Sequence, residues 1–440
     1  MAQNTDSLFI RSVFSNALSD NSSYEHLRYL CKNIGGRIGG SEQAAKAVSW
    51  VEKILKESGA DTVYLQQCKV RNWKRGEEEI CYTNKTSKGR FKFAVSALGG
   101  SIGTGDKGVM ANIIEVKSLE ELNILGEAKI KGKIVFFNRP ADPTHYNTFR
   151  AYGGAADQRF IGPSIAASYG AVASITRSLT VVTHKNPHTG IMHYIDSLPK
   201  IPAFAISTAD ADILSKLINN EPSTKVYLRS TCFELPDTVS YNVIAEIRGS
   251  EFPKEIIVVG AHLDAWDNGE GAHDDGGGVV QAMDVIRIFK ELNYKPRYTI
   301  RIVEFMDEEM AQRGGRKYAE TAKGMNEKHI AAIESDEGAL LPQGFSFDSG
   351  DEKIEKRMEQ WKPLLLPYGL WNFHRGYSGV DISFLEDQQF PLFGLLNDSQ
   401  RYFNYQHASS DVFEAVFQRE LQLGTASITS LVYLIDKYGF

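Results

Sequence analysis

Acidic residues and a histidine stand directly behind three apolar runs of the sequence. Ile256 to Val259 leads into Gly260-Ala261-His262-Leu263-Asp264, Tyr298 to Phe305 into Met306-Asp307-Glu308-Glu309, and Ala331-Ala332-Ile333 into Glu334-Ser335-Asp336. Each piece alone is ordinary, because His-x-Asp recurs by chance beside helix caps and paired acids usually form a solvated face. Repetition behind three strand candidates changes the odds. In open α/β sheets ligands bind beyond the carboxyl ends of the strands, so residues remote in sequence can converge on one site there.

The chemistry follows from the residue types. The loop Asn268 to Gly278 carries Asp274 and Asp275 among glycines and matches neither phosphate-binding glycine pattern. Adjacent carboxylates repel phosphate and attract cations. One carboxylate can bridge two metal ions about 3.5–4 Å apart, the spacing at which paired ions activate water. Of Glu308 and Glu309, one can ligate metal while its neighbour, pointing differently, accepts a proton from water. A second histidine, His407, follows the strand candidate Phe390 to Leu396 and completes a set of two imidazoles and three or more carboxylates. That nitrogen–oxygen mix suits zinc. Cys31, Cys68, Cys81 and Cys232 are scattered, which excludes a thiolate site.

These residues need a sheet to hold them. The third region of the chain, 236–440, alternates strand and helix as an α/β sheet requires. Its run Ile256 to Val259 fits a strand buried on both faces, and Val279, Met283, Ile286 and Phe289 mark the helix that follows. A last helix spans about Arg419 to Lys437. The first region, 1–100, opens on a polar stretch, then a helix from about Ser41 to Ser58, then strands near Glu79 to Tyr82 and Phe91 to Val95 read as part of the same unit. Between them, 101–235 alternates short strands with helices such as Thr208 to Ile218 and offers no catalytic constellation. His184, His188 and His193 lack a carboxylate or thiolate at helical spacing and are not expected to be ligands.

Composition sets the outer limits. With 440 residues, the chain should form two or three domains. Its 42% hydrophobic and 24% charged content is that of a folded globular protein. A net charge of -6 argues against nucleic acid or anionic membrane as partner. No apolar run approaches the roughly 18–20 residues of a membrane span. Met1 to Asp6 lacks the features of a signal peptide, so the chain is expected to be cytosolic, or exported with its leader missing from this sequence.

With the ligand motifs, the segments Gly35-Gly36-Arg37-Ile38-Gly39-Gly40, Trp73-Lys74-Arg75-Gly76, Pro187-His188-Thr189-Gly190 and Tyr241 to Gly249 resemble the co-catalytic zinc exopeptidases, in particular the carboxypeptidase Q group and its bacterial relatives, along the whole chain. The resemblance implies a mixed, mostly parallel sheet flanked by helices, interrupted by a protease-associated-type domain. It implies two Zn2+ ions, with His262 and Asp336, and Glu309 and His407, as terminal ligands and Asp274 as the bridge. Glu308 would be general base and then acid, and Asp264 the acid that orients the first histidine ligand. The activity implied is that of an exopeptidase or dipeptidase hydrolysing terminal bonds of short peptides by way of a water between the ions.

Related zinc sites also support glutaminyl cyclisation and deacylation of N-acyl amino acids. Transferrin-receptor-like relatives keep the fold as binding proteins after losing ligands, whereas every ligand position is filled here. The resemblance implies short peptides as partners, no nucleic acid and no membrane span, allows a homodimer, and suggests a periplasmic or secreted location. Departures from the family pattern fall at Met310 to Gly315, where relatives place a glycine sooner, and at Asp411-Val412. His273 could offer a competing imidazole beside the bridge but is expected not to, and Tyr402 or Tyr405 could supply a phenol to the oxyanion.

Overall fold

The computed structural model describes residues 2–388 and 390–440. They fall into two compact units. One comprises Met1–Arg71, Asp237–Asp398 and Asp411–Phe440; the other comprises Asn72–Pro236 and Ser399–Ser410.

The first unit is built on a mixed eight-stranded sheet. Its strands run in the order Thr62–Lys74, Phe233–Ile247, Tyr298–Phe305, Phe252–His262, Lys328–Glu334, Leu392–Asn397, Pro342–Asp348 and Asn372–Arg375. The central four, from Tyr298–Phe305 to Leu392–Asn397, are mutually parallel, and antiparallel strands flank them. In the strand Phe252–His262, every residue from Ile256 onward is buried, as a sheet covered on both faces requires. Ile257, Val259 and Ala261 enter the main core with Val279, Met283 and Ile286 of the helix Gly277–Glu291 and Leu431 and Ile435 of the helix Gln418–Tyr438. Ile256 and Val258 enter a second cluster with Phe305 and Tyr318.

Helix Glu42–Glu57 starts where its sequence says it should. The Ser41 side chain caps it by accepting the Ala44 N–H at 3.0 Å, and Ala44, Ala47, Val48, Val51 and Leu55 form its buried stripe. The opening stretch, read as polar, is instead the helix Ala2–Ser19. Ile10, Val13, Phe14 and Ala17 are spaced to bury one face of it in the main core, and that apolar face outweighs the polar remainder.

The second unit has its own eight-stranded sheet, with Val109–Val116, Ile134–Phe137, Ala173–Arg177 and Ala203–Ile206 parallel at its heart. The strand Glu79–Thr83 belongs here, paired antiparallel with Lys225–Ser230, and Val95–Ala97 pairs with Ala203–Ile206. Residues 79–97, expected to accompany the first region, therefore build the second sheet, and the compact units divide at Arg71 rather than near residue 100. Pairing partners decide membership, and alternation of apolar and polar residues does not reveal them. No helix among the described residues is long and apolar enough to cross a membrane.

One buried acid in the first unit is at odds with its surroundings. Glu304 sits in register between Val243 and Ala261, on the face of its strand that carries Ile300, Ile302 and Met306 into the core. It is fully buried, and neither carboxylate oxygen has a hydrogen-bond partner among the described residues. Burial holds its pKa well above the usual carboxylate range, with the charges of His262 and Arg37 opposing. The unfolded chain gives up this proton above about pH 4.3 while the folded protein keeps it, so the group's contribution to stability falls as pH rises from there toward the raised value. Glu304→Leu is therefore expected to stabilise the protein by about 1–3 kcal/mol at pH 8 and by much less near pH 4. Thermal melts at the two pH values check this, and an equal shift at both would count against it.

Candidate metal centre

Strand register delivers the candidate ligands to one edge of the first unit's sheet. His262 is level with Phe305 and Gly260 with Glu334, so the three parallel strands end together. Asp264, the pair Glu308 and Glu309, and Asp336 each lie a few residues beyond those ends.

His262 is buried, and its ring is fixed by two different kinds of contact. Its Nδ1–H donates to the Asp264 backbone carbonyl at 2.9 Å, which directs the Nε2 lone pair outward. Nε2 then faces Asp274 Oδ1 and Asp336 Oδ1, each at 3.2 Å. Three acceptors pointed at one another need either a proton or a cation between them. Burial works against a protonated imidazole, but the Asp336 and Asp274 carboxylates pull the pKa of His262 well above its ordinary value. One nitrogen and two carboxylate oxygens, all within 4.8 Å of one another, match the donor chemistry of zinc. Ligand atoms of Asp274 and Glu309 lie within the same distance of each other, so Asp274 faces both His262 and Glu309.

The neighbouring acids hold the loops in place. Asp275 turns away from Asp274: its carboxylate accepts the His262 N–H at 3.2 Å and the Gly278 N–H at 3.0 Å, tying strand end to helix start. Asp411 accepts the backbone N–H groups of His273 at 2.7 Å and Asp274 at 3.1 Å, and burial raises its pKa to about 7. Glu334 accepts from Val380 and Ile382, both at 2.9 Å, and burial raises it to about 7 as well. Buried Asp381 and the phenol of Tyr377 flank this loop. Tyr377 is 64% exposed as a residue, yet partial desolvation of its phenol and then the charges of Glu334, Asp336 and Glu308 raise its pKa. The His273 imidazole points elsewhere, with Nε2 3.3 Å from the Ala415 carbonyl.

Asp264 supports the site in two ways. The expectation drew on its carboxylate to orient His262, yet it is the backbone carbonyl that receives the ring N–H; Oδ1 stands 3.9 Å from Nδ1. The carboxylate instead accepts the Glu308 N–H at 3.1 Å, with the Glu309 N–H at 3.4 Å, and so fixes the turn that presents both glutamates. Burial, with Asp336, Glu309 and Asp381 adding, pushes the Glu308 pKa well up, against the pull of His262. After this turn Gln312 takes a positive φ of 57°, and the chain closes at Gly314, where a Cβ would meet the Met306 carbonyl oxygen at 2.3 Å.

His407 belongs to the second unit, on the segment Ser399–Ser410. Its carbonyl accepts the Thr189 N–H at 2.9 Å, and the Gln406 amide nitrogen lies 2.7 Å from its Nε2. In the same unit, the Asn186 N–H donates to His184 Nδ1, leaving His184 Nε2–H to donate to His188 Nε2 at 2.8 Å. That imidazole pair is a structural tie, and His193 stacks on Phe160. Tyr402, considered for the oxyanion, is buried and stacked on Phe149. Asp411, Glu334, Asp381 and Tyr377 carried no site role from the sequence: Glu334 is the last residue of the strand Lys328–Glu334, and the other three lie on loops.

Relatives make the comparison independent of this geometry. Residues 242–431 match the family model described as Peptidase family M28. Carboxypeptidase Q of Bos taurus is 32% identical over 417 residues, covering 95% of this chain and 86% of the relative. Carboxypeptidase Q of Xenopus laevis reaches 34% over the same coverage. Among solved structures, a peptidase M28 precursor from Shewanella amazonensis SB2B has a TM-score of 0.93 at 30% identity, covering 99% of this chain and 97% of that one. The zinc aminopeptidase BSAP from Bacillus subtilis, at 17% identity and a TM-score of 0.67 over 93% of this chain and 94% of that one, shares the fold. With that identity sustained from end to end, the chain belongs to peptidase family M28 and is a metallo-exopeptidase.

Proposed function

We propose that this protein is a di-zinc exopeptidase that hydrolyses terminal bonds of short peptides, dipeptides among them. One observation carries the reading: His262 Nε2, its other nitrogen committed to a backbone carbonyl, faces two carboxylate oxygens at 3.2 Å. His262 and Asp336 would hold one ion, Glu309 and His407 the other, with Asp274 shared. When bound, the ions supply Lewis acidity that lowers the pKa of water and polarises the peptide carbonyl. Glu308, set on the turn fixed by Asp264, takes the proton from the attacking water and returns it to the leaving amine. Tyr377, whose phenol feels the charges of Glu334, Asp336 and Glu308, would donate to the oxyanion. The second unit is read as the protease-associated-type module, and a periplasmic or secreted location follows the resemblance.

A panel of free and end-blocked dipeptides, assayed with and without chelator, tests the proposal. Free dipeptides should be cleaved, chelator should stop cleavage, and added zinc should restore it. Turnover of an N-terminal glutamine peptide or an N-acyl amino acid in place of dipeptides would sink the peptidase reading.

A further inference from the structure

The motif Gly35 to Gly40 holds one arginine whose surroundings are unlike those of any surface cation. Arg37 is fully buried, and among the described residues no carboxylate pairs with it. Its guanidinium donates to backbone carbonyls alone. Nε reaches Leu263 O at 2.6 Å, Nη1 reaches Glu270 O at 2.9 Å and Gly35 O at 3.3 Å, and Nη2 reaches Gly271 O at 3.2 Å.

The carbonyls define the task. Leu263 lies between His262 and Asp264, while Glu270 and Gly271 stand shortly before Asp274 on the loop Asn268 to Gly278. Arg37 in turn is anchored by its own N–H, which donates to the Ala265 carbonyl at 3.1 Å. The approach is close on every side. A Cβ on Gly36 would meet Asp267 Cα at 2.7 Å, and one on Gly271, where φ is +60°, would meet Ala265 Cβ at 2.3 Å and Arg37 Nη1 at 2.9 Å. A planar fork with five fixed donors can join two loops at a set separation; a lysine ammonium cannot reproduce that geometry.

We propose that Arg37 is a positioning residue that sets the spacing between His262 and Asp274 by clamping their two loops together, so that metal affinity depends on the guanidinium fork. The inference rests on the metal centre proposed above. Groups that orient metal ligands typically contribute about 10–100-fold in affinity, and that is the loss expected of Arg37→Lys.

The test compares full-length wild type, Arg37→Lys and Arg301→Lys. Arg301 is another buried arginine of the same unit, but its partners are the carboxylates of Glu246 and Glu327 and the Tyr318 hydroxyl. Zinc affinity is measured by chelator competition, the ligand field by the visible spectrum of the cobalt-loaded protein, and the fold by the melting temperature without metal. Arg37→Lys should bind zinc about 10–100-fold more weakly with an altered cobalt spectrum, while Arg301→Lys should lose melting temperature with both metal readouts unchanged. Wild-type affinity and spectrum in Arg37→Lys would overturn the clamp alone, as would an equal loss of affinity in Arg301→Lys. A wild type that takes up no zinc would overturn the metal reading and the clamp with it. If Arg37→Lys does not fold, Gly36→Ala decides: lifting the segment off the Asp267 backbone should weaken zinc in the same way, and unchanged affinity there overturns the proposal.

Discussion

Glu308→Gln is expected to lower kcat/KM about 10²–10⁴-fold while zinc content stays at the wild-type level. The amide keeps the shape of the side chain but cannot take a proton from water. Its backbone is held independently, because the Glu308 N–H donates to Asp264 Oδ1, so the substitution leaves the turn in place. The matching change one residue on has a different expected outcome: Glu309→Gln alters a ligand of the proposed site and should lose zinc along with activity. Steady-state kinetics on a dipeptide, paired with metal analysis of both variants, separates the roles. Hydrolysis retained in Glu308→Gln would remove Glu308 as base, and zinc lost from it would make Glu308 a ligand instead.

The second large effect is expected at the adjacent aspartates. Asp274 faces His262 on one side and Glu309 on the other, whereas Asp275 is turned back to cap Gly278 and hold the His262 backbone. Asp274→Ala removes the shared ligand of the proposed site, so zinc binding should weaken by more than the about 100-fold that outer partners of a ligand can cost, and hydrolysis should fall to background. Asp275→Asn keeps the ligand set but weakens two buried hydrogen bonds. Its main effect should be a stability loss of about 1–3 kcal/mol, read as a lower melting temperature with zinc still bound. Metal titration and thermal melts on the two variants check the contrast. If both lose zinc equally, the division of labour is wrong.

Much of this site was legible because it sits where periodicity is strongest. Buried parallel strands print continuous apolar runs, and the residue types that follow them stand out against that background. The run Ile256 to Val259 and the strand Tyr298–Phe305 are cases in point. What escaped depends on how loops close in three dimensions. Asp274, aimed at His262, was told from Asp275, aimed at backbone N–H groups, by the family resemblance alone and not by spacing. Glu334 reads as part of a strand end, yet its carboxylate organises the Val380 to Ile382 turn, nearly fifty positions later. The strand Glu79–Thr83 was assigned to the wrong neighbours because alternation fixes which face a residue occupies, not which strand it pairs with.

The segment Ser399–Ser410, which carries His407, leaves the first unit's chain path to join the other sheet's unit. There it is fastened at several points: the Thr148 hydroxyl donates to the Ser399 carbonyl at 2.6 Å, Phe149 stacks on Tyr402, and His188 and Ala408 form a bridge. Trimming the chain to a minimal hydrolase by excising residues 72–236 would strip that segment of every one of these supports. Gene fragments encoding the M28-matched region alone, 242–431, would carry His407 without the platform that shapes its turn. Residues 72–236 are thus not an optional accessory that shuffling can add or discard, and a shortened version of this protein should be sought by pruning surface loops inside each unit instead.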